Sequence, residues 1–398
     1  MSRVLHCLAS LEIGGVESSV LGLFHHLAQH GSRHEHFLCA FRGGRLADTG
    51  LQPLHDACIP VRVLDRPSRF SWSFWRSLRR TVAELQPHII HAYNPTAALW
   101  TRVALGRTAR PRIVVHCGSM GGLGPRWRFI ERALLSRTDA FVFSSQSIRA
   151  VWEHALPIYQ MRKVIYHGLD LVGREAAMQT PSLSPFTLLT VCRLVAIKNL
   201  GAQVQALRLL HDRGLRDTRL IVVGDGPARA ACESHIRLRG LADAVDMEGF
   251  QSRPRDYHGR AHAYLCTSYS EGLSISLNEA MLDGMVCIAS RVGGNSELIT
   301  DGVDGFLVPC TEPVPRELRG TLPAGQTLPG RVYDHTTGAI RPPAGIDVTA
   351  LADRIQDVRA RFETLVSVRA AARSRILNHF SMERNVESLD ELYGDLID

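Results

Sequence analysis

The chain has almost no lysine. Of its 46 basic residues only Lys163 and Lys198 are lysine, and the other 44 are arginine. Paired cysteines are missing too: nine are scattered over 398 residues with no Cys-x-x-Cys pair. That odd, dispersed set excludes a disulfide frame and a cysteine-rich zinc site, and suits buried thiols in a reducing compartment. No apolar run approaches the roughly 18 residues that a membrane-spanning helix needs. The opening "MSRVLHCLASLEIGG" shows one arginine and a short apolar run ending in a glycine turn, so no secretory leader is expected. A cytoplasmic protein is expected, one that can still touch the inner face of a membrane as a peripheral component.

What is present is the composition of a globular protein, 45% hydrophobic and 21% charged, in a chain long enough for two domains. The net charge of +7 is unevenly spread. Arg62 to Arg137 holds 14 arginines against Asp65, Glu84 and Glu131, a net of +11, and the remainder is slightly acidic.

Short runs rich in Val, Ile and Phe recur at 4–9, 36–41, 61–65, 88–93, 112–117, 140–145 and 163–168, with helical spacing at 16–30, 72–85, 96–106 and 125–137. The pattern restarts with strands at 186–194, 219–227, 245–250, 262–268, 286–290 and 305–309, and helices at 199–213, 227–240, 275–284 and 294–300. Apolar strands alternating with amphipathic helices predict α/β architecture with parallel sheets covered on both faces. The reading is two Rossmann-like, doubly wound domains, 1–170 and 171–375, with a Pro- and Ser-bearing linker at 170–185. A final amphipathic helix lies within 376–398, with Ser381 as its N-cap. Two such domains leave a cleft at the carboxyl ends of their strands. Residues 311–346, with six prolines and five glycines, interrupt the pattern, and "GRVYDHTTGAIRP" within them can form a hairpin.

Four stretches of the second half put reactive side chains at strand ends. "CRLVAIKN" sets Arg193 and Lys198 between a buried strand and a helix, where a guanidinium fork beside a compact ammonium suits a diphosphate. Solvated surface charge is the ordinary alternative for either. "VVGDGPAR" is a strand, a Gly224-to-Pro227 turn and a helix, which permits close backbone approach to a ligand and is equally a common turn. It is not Gly-x-Gly-x-x-Gly, so NAD is unsupported. "SYSEGLSISLNEAM" puts Glu271 in a loop and Glu279 in the next helix, whose first turn near Ser274 to Leu277 offers N–H groups to an anion. Those carboxylates can accept hydrogen bonds from sugar hydroxyls or serve as cap and surface charge. "SRVGGNSEL" sets Gly293 and Gly294 after a strand, with Glu297 following; a tight turn is the plainer reading.

In this order and at these spacings the stretches resemble the family 4 glycosyltransferases of GT-B fold. That family's signatures are Arg-x4-Lys, the Gly-x-Gly-Pro turn, a Glu-x7-Glu pair opening on "EG", and Gly-Gly-x-x-Glu. "EIGGVESSV" resembles its amino-terminal Gly-Gly-x-Glu loop, "VVHCGSM" its fifth-strand histidine, and "YHGLD" stands where Asn-Gly-x-Asp is usual. The resemblance covers about residues 5–310 and the last 50. It implies an acceptor-binding domain, then a nucleotide-sugar-binding domain, with a final helix that crosses back to the first. It further implies a hexosyltransferase-type enzyme that retains anomeric configuration.

By that resemblance Arg193 and Lys198 hold the donor diphosphate and stabilise the charge left on the departing phosphate. The backbone from Gly272, Leu273 and Ser274 to Ile275 assists. Glu279 binds ribose, Glu271 contacts the transferred sugar, and Phe250 and Gln251 flank the nucleobase. Gly15 lets the first loop pass close to the phosphates, and His116 sits near the anomeric carbon and the acceptor. No Asp-x-Asp is present to hold Mg²⁺ or Mn²⁺, so no metal and no cofactor beyond the nucleotide-sugar co-substrate is expected. Two positions depart from the pattern: Ser274 replaces a common Pro, and His167 replaces Asn.

The basic stretch interleaves Arg66, Arg69, Arg76, Arg79 and Arg80 with Phe70, Trp72, Phe74 and Trp75, and "GPRWRFIERALLSR" adds Arg126, Trp127 and Arg128. Basic helices with aromatics suit an anionic membrane surface. A polyprenyl-diphosphate-linked or glycan acceptor at that surface fits the first domain. Core packing of some aromatics is the plainer alternative. No helix-turn-helix, RRM, KH or zinc pattern supports nucleic acid as the partner. Competing readings are a GT-B sugar-nucleotide epimerase, a glycogen-synthase-like polymerase, and a non-catalytic carbohydrate- or lipid-binding scaffold.

Overall fold

The computed structural model describes residues 1–12, 14–44, 54, 59–64, 71–105, 111–119, 124–171, 184–315, 321–322 and 326–397. The chain divides into two compact units, Met1–Val172 with Phe380–Asp398, and Gly173–His379.

The first unit is built on a seven-stranded sheet of β1 (Ser2–Leu8), β2 (His34–Ala40), β3 (Val61–Val63), β4 (Ile89–Tyr93), β5 (Arg112–Cys117), β6 (Ala140–Phe143) and β7 (Met161–Val164). Its order is β3-β2-β1-β4-β5-β6-β7, every pair parallel. β4 and β6 are buried along their whole length, as strands covered on both faces must be. Chain order reverses between β1 and β4, the switch point of a doubly wound sheet.

The second unit repeats the design with β8 (Phe186–Val191), β9 (Thr218–Val223), β10 (Val245–Gly249), β11 (Ala263–Cys266), β12 (Val286–Ser290) and β13 (Phe306–Val308). Their order is β10-β9-β8-β11-β12-β13, with the switch between β8 and β11. Leu188, Leu220, Leu265 and Ile288 from the strands pack with Leu207 and Ile355 from the covering helices.

The final helix, Met382–Ile397, belongs to the first unit. Ser381 accepts from Arg384 N at 3.4 Å, and Leu169 exchanges backbone hydrogen bonds with Phe380 and Met382 at 2.9 and 3.0 Å. A Cβ on Gly168 would stand 2.6 Å from Met382 Cα, so only glycine admits this crossing. Leu389, Leu392, Tyr393 and Leu396 then join Val114 and Val142 in the core. Lys163 Nζ, on β7, pairs with Asp395 at 2.9 Å, which gives one of the two lysines a partner on this helix.

The expected strands and helices form, with shifted ends. The sequence reading passed over the helix Gln146–Ala155, which Ser145 caps by accepting from Ile148 N at 3.2 Å. The chain re-enters the first unit at Phe380 rather than 376, because Val366–His379 continues as one helix of the second. Most of the linker read at 170–185 lies outside the described residues. The hairpin read near 330–342 forms, pairing Val332–Asp334 with Ala339–Arg341.

Histidines fill the middle of the first sheet. Parallel register sets His6 beside His91 and Tyr93 beside His116. Tyr393 OH meets His91 Nδ1 at 2.6 Å, and His91 Nε2 meets His116 Nδ1 at 3.1 Å. The chain of contacts continues through Ser144 Oγ (3.1 Å) to His167 (2.9 Å) and Ser19 Oγ (3.0 Å). A second run links Tyr93, His6, His36 and Ser32 at 3.1, 2.9 and 2.8 Å. A neutral imidazole has one N–H and one lone pair, so each ring's tautomer is fixed by its neighbour's. Burial holds His6, His91 and His116 well below the usual histidine range, reinforced by repulsion from neighbouring histidines, and lowers His36 and His167 to about 4.

These rings are neutral in the fold and titrate near pH 6.5 once unfolded, so below that pH the unfolded chain binds more protons. Stability should be full above about pH 6.5 and fall steadily toward about pH 4. Urea midpoints measured across that window should drop with pH; a flat profile would contradict the buried, neutral array.

Candidate active site

The second-unit candidates follow the carboxyl ends of its strands: Arg193 and Lys198 after β8, Gly224 and Gly226 after β9, Phe250 and Gln251 after β10, Glu271 to Ser274 after β11, Gly293 to Glu297 after β12; Ile275 and Glu279 lie in the helix that follows Ser274. β8 and β11 flank the switch point, and their loops meet. Lys198, at the end of a 3-10 turn, places Nζ 2.7 Å from Glu271 Oε2, and Ser268 Oγ donates to that same oxygen at 2.8 Å. The two side chains are 25% and 11% exposed. Burial pushes the ammonium down, but the Glu271 charge and hydrogen bond, with Cys266 and Cys192 beyond, lift it above the usual lysine value. Lysine is thus charged at any physiological pH.

Backbone stitching fixes this corner. Tyr269 N donates to Ile197 O at 2.9 Å, and Thr267 Oγ1 lies 3.2 and 3.1 Å from the carbonyls of Lys198 and Asn199. Gln203, buried beneath, donates to Thr267 Oγ1 at 3.0 Å. Arg193 is exposed and has no partner among the described residues.

The glycine turns serve these loops. Gly224, at φ +131°, would bring a Cβ within 1.9 Å of Cys192 O, and Gly226 within 2.4 Å of Leu194 O. Hydrogen bonds from Cys192 N to Val223 O (3.0 Å) and Leu194 N to Asp225 O (2.9 Å) clamp the Arg193 loop between them. The close approach is therefore to the chain's own backbone. Gly294 backs the acidic loop in the same way: its Cβ would lie 2.0 Å from Gly272 O, and its N–H bonds Glu271 O at 2.9 Å.

Ser274, which departs from the family's Pro, is the N-cap of Ile275–Leu282: its Oγ accepts from Leu277 N at 3.3 Å and its carbonyl from Asn278 N at 3.0 Å. Gly272 is half-buried, Leu273 and Ser274 are buried, and Glu279 rides half-buried in the helix beyond. Phe250 is half exposed, and Gln251 Nε2 donates to Glu248 O at 3.0 Å.

The remaining candidates belong to the first unit. Gly15 is exposed at the start of the helix Gly15–His30. His116, expected beside the anomeric carbon, is 2% exposed with one ring nitrogen on His91 and the other on Ser144. Arg66 and Arg69 lie outside the described residues. On helix Trp72–Leu85, Trp72 is 88% exposed, Phe74 is core, and Trp75 packs edge-on to Trp100. Arg76, Arg79 and Arg80 are exposed, though Arg79 Nε reaches Ala104 O (2.6 Å) and Arg80 Nε reaches Glu84 (3.3 Å). Helix Pro125–Leu134 exposes Arg126, Arg128 and Phe129, with Trp127 half-buried. A buried pair, in which Arg102 Nη2 donates to both Glu131 oxygens at 2.8 and 2.9 Å, anchors it. Among the described residues no helix is long and apolar enough to cross a membrane.

Sequence reasoning missed Ser268, Thr267 and Gln203; of the histidine array it singled out only His116 and, as a departure from the family's Asn, His167. The polar run "CTSYSEG" straight after a buried strand was the available signal for the first two.

Two Rossmann-like units with the cation–carboxylate corner at the second switch point define an α/β protein of the GT-B class. Residues 13–172 match the family described as Glycosyltransferase Family 4, and residues 175–314 match Glycosyl transferases group 1. The chain belongs to the family 4 glycosyltransferases. It is 22% identical over 324 residues to the GalNAc-alpha-(1->4)-GalNAc-alpha-(1->3)-diNAcBac-PP-undecaprenol alpha-1,4-N-acetyl-D-galactosaminyltransferase of Campylobacter jejuni, covering 79% of this chain and 86% of that one. It is 32% identical over 175 residues to the amylovoran biosynthesis glycosyltransferase AmsK of Erwinia amylovora, 41% and 42% of the two chains. The crystal structure of Anabaena Alr3699/HepE in complex with UDP and glucose shares the fold at TM-score 0.74 and 19% identity, covering 99% of this chain and 100% of that one.

Gly224→Ala adds a Cβ where no room exists, at a φ that side chains avoid, so it should displace the Arg193 loop and cost about 3 kcal/mol. Equal melting of variant and parent would refute the clamp.

Proposed function

We propose that this glycosyltransferase moves a hexosyl group from a UDP- or GDP-sugar to a glycan or polyprenyl-diphosphate-linked acceptor in cell-surface polysaccharide synthesis, with retention and without a metal. The observation that carries the reading is the Lys198–Glu271 pair at the switch point of the second sheet. The Campylobacter relative is named for a polyprenyl-diphosphate-linked glycan acceptor, and the Anabaena structure holds UDP and glucose.

Cleaving the anomeric C–O bond leaves its electron pair on the diphosphate. The acceptor oxygen bonds to carbon on the same face, and its proton passes to the departing phosphate oxygen. The transition state has oxocarbenium character, so stabilising the leaving group matters most. Arg193 supplies a planar fork and Lys198 a point charge. Glu279 binds the ribose hydroxyls, Glu271 the sugar, Phe250 and Gln251 the base, and Gly15 gives the first loop clearance at the phosphates. His116, engaged at both nitrogens, acts through the hydrogen-bonded array.

A diphosphate that takes Lys198 must displace Glu271. Lys198→Ala and Glu279→Ala should each lower transfer about a hundredfold or more with the fold intact. Glu271→Gln should bind UDP at least as tightly as the parent, because Lys198 no longer has a competing anion, yet transfer poorly. Calorimetry with UDP and radiolabelled transfer assays check this. Full activity of the Ala variants, or epimer formation from a UDP-sugar without acceptor, would sink the reading.

The first unit meets an anionic inner-leaflet surface through Trp72, Arg76, Arg126, Arg128 and Phe129 in this reading. Each arginine near the headgroups contributes about 1 kcal/mol. Co-sedimentation with vesicles should rise with anionic lipid content and fall for the Arg126→Glu, Arg128→Glu double variant. Equal binding to neutral and anionic vesicles would count against it.

A further inference from the structure

The helix Val366–His379 ties off two helices of the proposed donor site. Arg369 Nε donates to Gly284 O at 2.8 Å and Arg373 Nη1 to Leu282 O at 2.7 Å, at the end of the Glu279 helix. Arg375 Nη2 donates to Glu297 O at 2.7 Å, within the short helix Asn295–Leu298 that follows the Gly294 turn. The last carbonyls of a helix have no intrahelical donors, and a cation there also meets the negative end of the helix dipole.

Ile275–Leu282 has only eight residues, too few to hold its own axis. Leu277, Ala280, Met281 and Leu282 turn one face to the core, and the ends fix the rotation of the rest. Ser274 fixes the front. Behind it, Gly284 turns the chain at φ +70°, Arg369 and Arg373 take the carbonyls, and Asp283 is bound by Arg255 and by His258 at 2.6 Å. Burial alone would raise Asp283, but His258 and Arg255 hold it down at about 2, so this anchor stays ionised. Glu279 lies one turn before that fixed end, so its direction follows from the clamp.

We propose that Arg373, with Arg369, is a positioning residue for donor binding: it sets the rotation of the Ile275–Leu282 helix that aims Glu279 at the ribose. This rests on the nucleotide-sugar reading above. No residue of Val366–His379 was singled out by the sequence motifs, because an arginine in an arginine-rich helix carries no signal of its own.

The test compares UDP with 2′-deoxy-UDP, and GDP with its 2′-deoxy analogue, by calorimetry on the full chain. The parent should prefer the ribonucleotide by about tenfold, the scale of one hydrogen bond to a charged group. Glu279→Ala should abolish that preference. Arg373→Ala should abolish or greatly reduce it too, while a merely structural role would weaken both nucleotides equally and leave the ratio intact. Arg373→Lys keeps the charge and most of the stem, and should restore part of the ratio; it serves as the probe where Arg373→Ala melts early. A parent-like ratio in Arg373→Ala, or in Arg373→Lys used in its place, beside a lost ratio in Glu279→Ala, overturns the positioning role. A parent-like ratio in Glu279→Ala, or no binding of either ribonucleotide by the parent, overturns the nucleotide-sugar reading instead.

Discussion

A lysine ammonium and a glutamate carboxylate, both largely covered, face each other where the second sheet changes direction. Removing either from water costs several kcal/mol, and a pair of this kind is held only where geometry and further hydrogen bonds repay that cost. Much of the surrounding construction supplies them. Ser268 gives Glu271 a second donor, Thr267 and Tyr269 tie down the lysine loop, and Gly224, Gly226 and Gly294 let neighbouring strand ends close to backbone contact. The helix that carries Glu279 is short and held at both ends. In the proposed mechanism this rigidity is useful, because a fixed backbone holds Lys198 in place when the diphosphate takes it over from Glu271.

The first unit solves a different problem. Its sheet buries histidines and Tyr93 in its middle, joined to one another and to Tyr393 by hydrogen bonds and ring contacts, so the polar groups satisfy one another in series. The array reaches from Tyr393 on the returning C-terminal helix to Ser19 on the first helix. The helix that closes the chain is therefore held by a directional polar bond as well as by Leu389, Leu392 and Leu396.

The parallel α/β layout and the strand-end placement of the candidate residues were legible because both follow from local signals: apolar runs with helical spacing between them, and motifs that straddle strand and helix. The Lys198–Glu271 contact joins residues 73 positions apart, and no pattern in one sequence encodes that pairing. His116 could be read as a lone strand-end histidine, but its neighbours come from elsewhere: His91 from the adjacent strand β4, and His167, reached through Ser144, from the loop after β7. The glycine turns were legible as tight turns, and not as supports for other loops, since what a missing Cβ accommodates is set by tertiary packing. Ser381 and the hairpin at 332–341 were readable, being local. The arginine clamp was invisible because arginine is this chain's default cation.

Scarcity of lysine makes Lys198 the sharpest point of test. An ammonium fits the narrow space beside Glu271 as a compact charge, where a guanidinium needs a plane and room for five donors. Calorimetric titration of Lys198→Arg with UDP, with melting to confirm the fold, measures this directly. The account predicts that arginine, though it keeps the charge, loses binding about as fully as alanine does. Parent-like affinity in the arginine variant would contradict a site built around that ion pair.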